Sequence, residues 1–423
     1  MLDQKIVDAY AAILREELVP ATGCTEPIAI AYCAAKLRET LGAIPERVLA
    51  EVSGNILKNV KSVVVPNTNG LKGLKAAIAI GLVGGDADAH MQVISSVTEE
   101  EKAAAKDYLE KTEITIECPE SPRMLDIRLT GYKGEDTAVV HIANNHSNIV
   151  YIAKNDTVLL EKPMTASAED NLQDKSVLNV KDIVEFADCV DVEVIRPMVA
   201  RQIEYNSAIA AEGLKNNWGA NIGSVLLANN SDIATEAKAW AAAGSDARMS
   251  GCEMPVIIVS GSGNQGTTAS LPVWRYGLAL GASEEKILRA VALSDLITIH
   301  QKTGIGRLSA YCGAISAGVG AGAGIAYLNG GDYTAIAHTV VNAVAILSGT
   351  ICDGAKPSCA AKIAAAVEAG ILGYRMYQHH QEFYGGEGIV AKGVEDSIHN
   401  VGILASQGMR ETDRTILDIM THC

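Results

Sequence analysis

Large aromatic side chains are scarce in this chain, which has 2 Phe and 3 Trp among 423 residues. A core with few large rings must be filled another way. The 39 Gly and the many Ala point to helices that approach one another closely through small residues. Basic charge is also short: 35 Lys plus Arg stand against 50 Asp plus Glu, for a net charge of -15. Without a basic run to displace counterions, nucleic acid and anionic membrane are excluded as expected partners, and small-molecule chemistry becomes the default. The first residues, Met1 to Ile6, show neither a basic segment leading into an apolar one nor a transit-peptide profile. The expectation is therefore a cytoplasmic protein. None of the 9 cysteines forms a Cys-x-x-Cys pair, which argues against structural zinc. In a reducing compartment they are not expected to form disulfides either, so they are buried thiols, metal ligands or reactive groups. Cys33, Cys118, Cys189 and Cys252 have the bland setting of the first kind. There is no internal repeat, no low-complexity tract and no Pro/Gly-rich linker.

What is present describes a globular protein with a sizeable core, at 48% hydrophobic residues. Residues 308–328 and 333–352 lack Asp, Glu, Lys and Arg over about the length of a bilayer helix. Glycines at 313, 318, 320, 322 and 324, and the lack of positively charged flanks, assign them instead to buried helices of a soluble core. The apolar spacing of Ile6, Ala9, Tyr10, Ile13, Leu14 and Leu18 predicts a first helix that stops at Pro20. A second helix starts near Thr25, with Thr25 as its cap, Pro27 in its first turn and Glu26 at the positive end of its dipole. Cys24 then sits at a helix N-terminus, where unsatisfied amides favour the thiolate and lower the thiol pKa.

From Arg47 to Lys162 β-branched runs predict strands at 48–52, 62–65, 114–117, 125–129, 138–142, 149–153 and 157–160, with helices at 71–82 and 99–111. Beyond residue 176 strand signals nearly vanish, apart from 256–259, and helical periodicities take over. The predicted fold is α+β. An N-terminal α/β substrate module with a mixed sheet, residues 1–165, is joined through the polar run 165–176 to a large helical part, residues 166–423.

Three features carry chemistry. Cys312 lies in Y-C-G-A-I-S-A-G, and Cys352 and Cys359 in C-D-G-A-K-P-S-C-A. These thiols could be small buried fillers of an Ala/Gly core. Spacing alone favours that reading; the alternative is an iron-sulfur cluster, since Gly313 and Gly354 let the backbone turn closely around it and three ligands leave one iron open for substrate. The segment S-G-S-G-N-Q-G formally satisfies G-x-G-x-x-G, but no βαβ repeat surrounds it and Pro272 interrupts the helix that should follow. Its backbone amides with Ser260, Asn264 and Gln265 suit a small carboxylate, although a purely structural turn explains it almost as well. Asparagine loops supply further uncharged donors at Asn55, at Asn67 and Asn69, and at Asn145 beside His146, with Lys72 a candidate for a carboxylate. Each of these has an alternative reading as scaffolding.

The strings P-A-T-G-C-T-E-P, V-P-N-T-N-G-L-K-G, S-G-S-G-N-Q-G, C-G-A-I-S-A-G and C-D-G-A-K-P-S-C-A closely resemble those of the L-cysteine desulfidases. These are 4Fe-4S enzymes related to the iron-sulfur L-serine dehydratases. The resemblance spans essentially the whole chain. It implies that cysteine is split to pyruvate, ammonia and sulfide without pyridoxal phosphate, in a homodimer. Cys24, Cys312 and Cys352 match thiols regarded as functional in the desulfidases, and Cys359 matches a cluster cysteine of the dehydratases. Four thiols thus compete for three ligand places; the expected set is Cys312, Cys352 and Cys359, with Cys24 facing the open iron as proton-handling base, the alternative being Cys24 as a cluster ligand. Cys24 stands where the dehydratases have a histidine, which favours cysteine over serine as substrate. Terminal Cys423 is a further possible ligand of the resting cluster. The alternatives are an L-serine dehydratase and, in another class, a non-catalytic iron-sulfur redox sensor, against which the missing basic patch counts.

Overall fold

A computed structural model describes residues 2–119, 121, 123–163, 173–228, 232–306 and 309–421. Most of the predicted 165–176 connection, and Cys423, lie outside the described residues.

Helix α1 (Gln4–Glu17) leads through strand β1 (Pro20–Thr22) to α2 (Thr25–Leu41). Next come β2 (Arg47–Val52), α3 (Gly54–Val60), α4 (Gly73–Gly84), α5 (Glu99–Lys111), β3 (Glu113–Glu117), β4 (Asp126–Lys133), β5 (Asp136–Ala143), β6 (Ile149–Lys154) and β7 (Thr157–Glu161). The last six of the seven strands named so far form one sheet in the order β3-β2-β4-β5-β6-β7, parallel at β2/β3 and antiparallel elsewhere. Val48, Ala50 and Val52 alternate inward on β2, as do Ala138, Val140 and Ile142 on β5, and α2 lies across that face. The mixed sheet agrees with the sequence expectation. The run 62–65 does not: Val64 makes an isolated bridge to Lys72, because α3 ends at Val60 and Pro66 cannot donate to a ladder.

The second part is helical: α6 (Val180–Cys189), α7 (Val192–Lys215), α8 (Ile222–Leu227) and α9 (Ile233–Met249), then strand β8 (Pro255–Ile257). The remaining helices are α10 (Gly263–Ala279), α11 (Glu284–Ile305), α12 (Gly313–Leu328), α13 (Tyr333–Ile346), α14 (Cys359–Gln378), α15 (Val394–Ile403) and α16 (Arg410–Thr421). Glycine sets how closely they pack. A Cβ on Gly318 of α12 would lie 2.3 Å from the Ala366 carbonyl oxygen of α14, and one on Gly370 of α14 would lie 2.2 Å from that of Gly318. The stretch containing α12 is thus a buried helix, and among the described residues no helix is long and apolar enough to cross a membrane. Helix α10 continues through Pro272 rather than breaking there, because packing against α9 and α12 holds its two halves in line.

Two junctions position the chemistry. β1 pairs antiparallel with β8, Ala21 opposite Val256, and so joins the N-terminal residues to the helical part. Helix α1 packs in the same direction, with Tyr10, Ile13 and Leu14 buried in the helical core.

Candidate active site

The β1/β8 ladder delivers two turns to one place. After β1 the chain bends at Gly23, whose φ of +64° and contact with Pro66 admit no side chain, and Cys24 becomes the N-cap of α2. Thr25 is the first helical residue, not the cap as expected, and Cys24 makes no capping bond. After β8, Val259 and Ser262 close a tight turn with Ser260 and Gly261 both at positive φ, and α10 opens with Gly263, Asn264 and Gln265. A Cβ at Gly263 would strike the Arg248 guanidinium at 2.3 Å, so glycine leaves that group its place.

A second bridge, Tyr311 to Ile351, brings the other thiols together. The Cys312 amide donates to the Thr350 carbonyl at 2.9 Å and the Cys352 amide to that of Ala310 at 2.6 Å. Cys312 is the N-cap of α12, and Cys359 is the first residue of α14, whose amide donates to the Lys356 carbonyl at 3.0 Å. Gly354, at φ +92°, packs against the Lys58 carbonyl so tightly that a Cβ would stand 2.3 Å away. The 352–359 loop is thereby seated on α3.

Cys24, Cys312, Cys352 and Cys359 line one cavity of about 110 Å³, together with Asn264, Gln265, Glu26, Asn59, Arg248, Lys302 and Tyr311. Cys24 donates to a Glu26 carboxylate oxygen at 3.0 Å, which also accepts from the Thr25 hydroxyl at 3.1 Å. The other Glu26 oxygen accepts from the Asn59 amide at 3.0 Å. Burial opposes ionisation of Glu26, but the charge of His146 and the bonds from Cys24 and Thr25 outweigh it and hold the carboxyl below its ordinary range. Burial, then the Glu26 charge, push the Cys24 thiol well above its ordinary value, against a weaker pull from Arg248. The expected lowering is reversed: desolvation exceeds what the helix terminus contributes. Burial, followed by the proximity of Cys352, likewise pushes Cys312 up to about 12. Cys359 is raised by burial, with Cys352 adding to it. Lys362 faces this group, held by Asp353 at 2.5 Å and by the Ile351 carbonyl at 2.8 Å.

The other predicted residues divide. His146 faces Glu26 electrostatically. Ser260 lines an adjoining cavity of about 410 Å³ that shares Lys302 with the thiol pocket. Asn55 is buried in α3 outside the pocket lining. Asn67 donates to the Ile94 carbonyl at 2.7 Å, Asn69 to Glu99 at 3.0 Å, and the Asn145 side chain accepts from Ser147 of its own turn at 3.4 Å. None of these three residues lines the thiol pocket. Lys72 is exposed at the start of α4 and borders a separate groove. Among the pocket residues not singled out from the sequence are Asn59, Arg248, Lys302 and Tyr311, with Glu26 noted there only for its place on the helix dipole. Arg248 follows the run A-A-A-G-S-D-A as a lone cation, which by itself does not tell a buried position from a solvated one.

The family model for the serine dehydratase alpha chain matches residues 88–418. The chain belongs to the serine dehydratase alpha chain family. Among its relatives, the UPF0597 protein of Desulfitobacterium hafniense is 57% identical over 98% of this chain and 96% of its own length. The UPF0597 proteins of Treponema denticola and Lachnoclostridium phytofermentans are 47% and 49% identical, each over 99% of this chain. Membership in the dehydratase family points to a lyase-type enzyme. The match includes Cys312, Cys352 and Cys359 and starts after Cys24, so the helical thiols belong to the matched region while Cys24 comes from the segment before it.

Proposed function

We propose that this protein is an L-cysteine desulfidase, which eliminates sulfide from L-cysteine and releases pyruvate and ammonia. The observation that carries this reading is the meeting of Cys24, Cys312, Cys352 and Cys359 in one small cavity. Among the described residues no three His, Cys, Asp or Glu side chains are arranged to hold a single metal ion. A cluster that takes one thiolate per iron asks for ligands set further apart, and an all-sulfur donor set suits iron-sulfur chemistry. Cys312, Cys352 and Cys359 would hold a 4Fe-4S cluster, each thiolate being stabilised by iron against the burial that otherwise keeps it protonated. When bound, the cluster supplies a Lewis acid with an open position for the leaving sulfur of the substrate.

The chain's own residues supply the remaining steps. Asn264 and Gln265 border the cavity and orient the substrate; the Gln265 side-chain oxygen is buried without a hydrogen-bond partner among the described residues. Cys24 rests protonated, its S–H directed at Glu26. Passing that proton to Glu26 is uphill, which keeps the resting thiol inert. Glu26 takes that proton as the substrate reacts, and the buried thiolate so formed is strongly basic and removes the substrate α-proton, a form of help worth roughly 10²- to 10⁴-fold. Loss of the β-sulfur gives aminoacrylate, whose imine form water converts to pyruvate and ammonia. We place the enzyme in the cytoplasm as a homodimer.

The test is anaerobic reconstitution with iron and sulfide, followed by pyruvate and sulfide assays. L-Cysteine should be turned over faster than L-serine. The reverse order establishes the serine dehydratase reading that the family match favours, and absence of pyruvate from both rejects the lyase. Cys24→Ala should retain the cluster absorption and lose turnover; wild-type turnover removes Cys24 as the base. Cys312→Ser, Cys352→Ser and Cys359→Ser should each lose the absorption.

A further inference from the structure

Arg248 is 3% exposed, at the end of α9, and its guanidinium borders the thiol pocket. It forms no ion pair among the described residues. One terminal nitrogen donates to the Asn264 side-chain oxygen at 3.0 Å, while Nε is buried with no acceptor among the described residues. Neither nearby carboxylate pairs with it, although one Asp246 oxygen is itself buried without a partner among the described residues. Glu26 accepts from Cys24, Thr25 and Asn59, and Asp246, two residues before Arg248, accepts from the Gly223 amide at 3.0 Å. A buried guanidinium with an unfilled donor is a costly arrangement unless an anion completes it, and its planar fork matches a carboxylate.

We propose that Arg248 binds the α-carboxylate of the substrate. This deepens the lyase reading, since it states which end of the amino acid the pocket recognises and requires ligands to carry a carboxylate. Gly263 is part of the device: its missing side chain leaves the guanidinium room beside Asn264. Asn264, held to Arg248, is then placed to set the orientation of the same ligand. Amines that lack the carboxylate should be excluded however well they fit in size.

Binding separates this inference from the reaction. Propanoate and L-alanine, which have no leaving group, are titrated calorimetrically into reconstituted wild type, Arg248→Gln, Arg248→Lys and Asn264→Asp, with ethylamine as the control. Propanoate and L-alanine should bind the wild type and ethylamine should not. Arg248→Gln should weaken both carboxylates by at least about 30-fold, and Arg248→Lys, which keeps the charge and loses the fork, should fall between. Asn264→Asp places a carboxylate against Arg248. It should raise the melting temperature while weakening propanoate, which separates ligand competition from loss of fold. In turnover, Arg248→Lys should raise KM more than it lowers kcat. Unchanged propanoate affinity in a folded Arg248→Gln protein overturns the proposal, as does ethylamine binding as tightly as L-alanine. If the lyase reading fails and no pyruvate forms, carboxylate binding that depends on Arg248 still stands by itself.

Discussion

The sheet module and the helical core are held together by opposite means. Between the sheet and α2 the contact is made by branched side chains such as Val48, Val140 and Ile28, a layer thick enough to absorb small changes of shape. Between α12 and α14 backbone meets backbone at Gly318, Gly322 and Gly370, with no side-chain layer to adjust. The thiols follow this division. Cys312 and Cys359 sit at the starts of the two helices joined by the glycine contact, whereas Cys24 is carried by the helix that packs on the sheet. The difference teaches that tolerance to substitution should be lowest in the seam that spaces Cys312 and Cys359, about one helical turn beyond the pocket lining.

The largest expected effect tests that seam directly. Gly318→Val should cost at least about 3 kcal/mol, or abolish soluble expression, because backbone on both sides leaves the added methyls nowhere to go; urea denaturation measures it. Next is Lys58→Ala. Lys58 is 1% exposed and is paired with Asp413 of α16, so its loss should cost about 2 kcal/mol, below the usual range for buried pairs because Asp413 keeps some solvent. Protease should then cut α16 first, since its seat is α3, where a Cβ on Gly54 would stand 2.4 Å from Leu417.

A third prediction concerns pH. Burial raises the Asp295 carboxyl from 3.8 to about 8, opposed by the bond from Gln202. The folded state therefore keeps a proton that the unfolded state has lost between these values. Its contribution to stability is fully present below pH 3.8 and is lost as pH rises through about 8. Asp295→Asn should flatten the slope of stability against pH in that window, by at most about 1.4 kcal/mol per pH unit. The smallest effect belongs to the sheet: Val139→Thr, half-buried on the face opposite Val140, should change stability by no more than about 0.5 kcal/mol. Equal losses for Gly318→Val and Val139→Thr would dissolve the contrast between the two regions.

The elements were largely legible in the sequence because hydrophobic periodicity is a local property. The strand at 149–154 and the helix at 99–111 could be read from their own residues. The run 62–65 misled for the same reason: three consecutive valines mark a strand only if a partner strand is present, and that is decided elsewhere in the chain. The pocket was half legible. Cys24, Asn264 and the three later thiols stand out by residue type, but nothing local shows that β1 pairs with β8 and brings Cys24 beside Asn264. Asn67 and Asn69 are ambiguous by residue type, because a composition suited to ligand binding is also what residues at positive φ require. Arg248 was missed because a lone cation at a helix end reads as solvated, and only its burial makes it informative.

The ladder between Pro20–Thr22 and Pro255–Ile257 also governs when the pocket can exist during synthesis. Cys24 leaves the ribosome early, yet the strand that fixes its neighbourhood is translated more than two hundred residues later, and Cys359 later still. No nascent fragment ending before α14 can enclose the four thiols. Until α14 has emerged, Cys24 has to survive as an ordinary, oxidisable thiol.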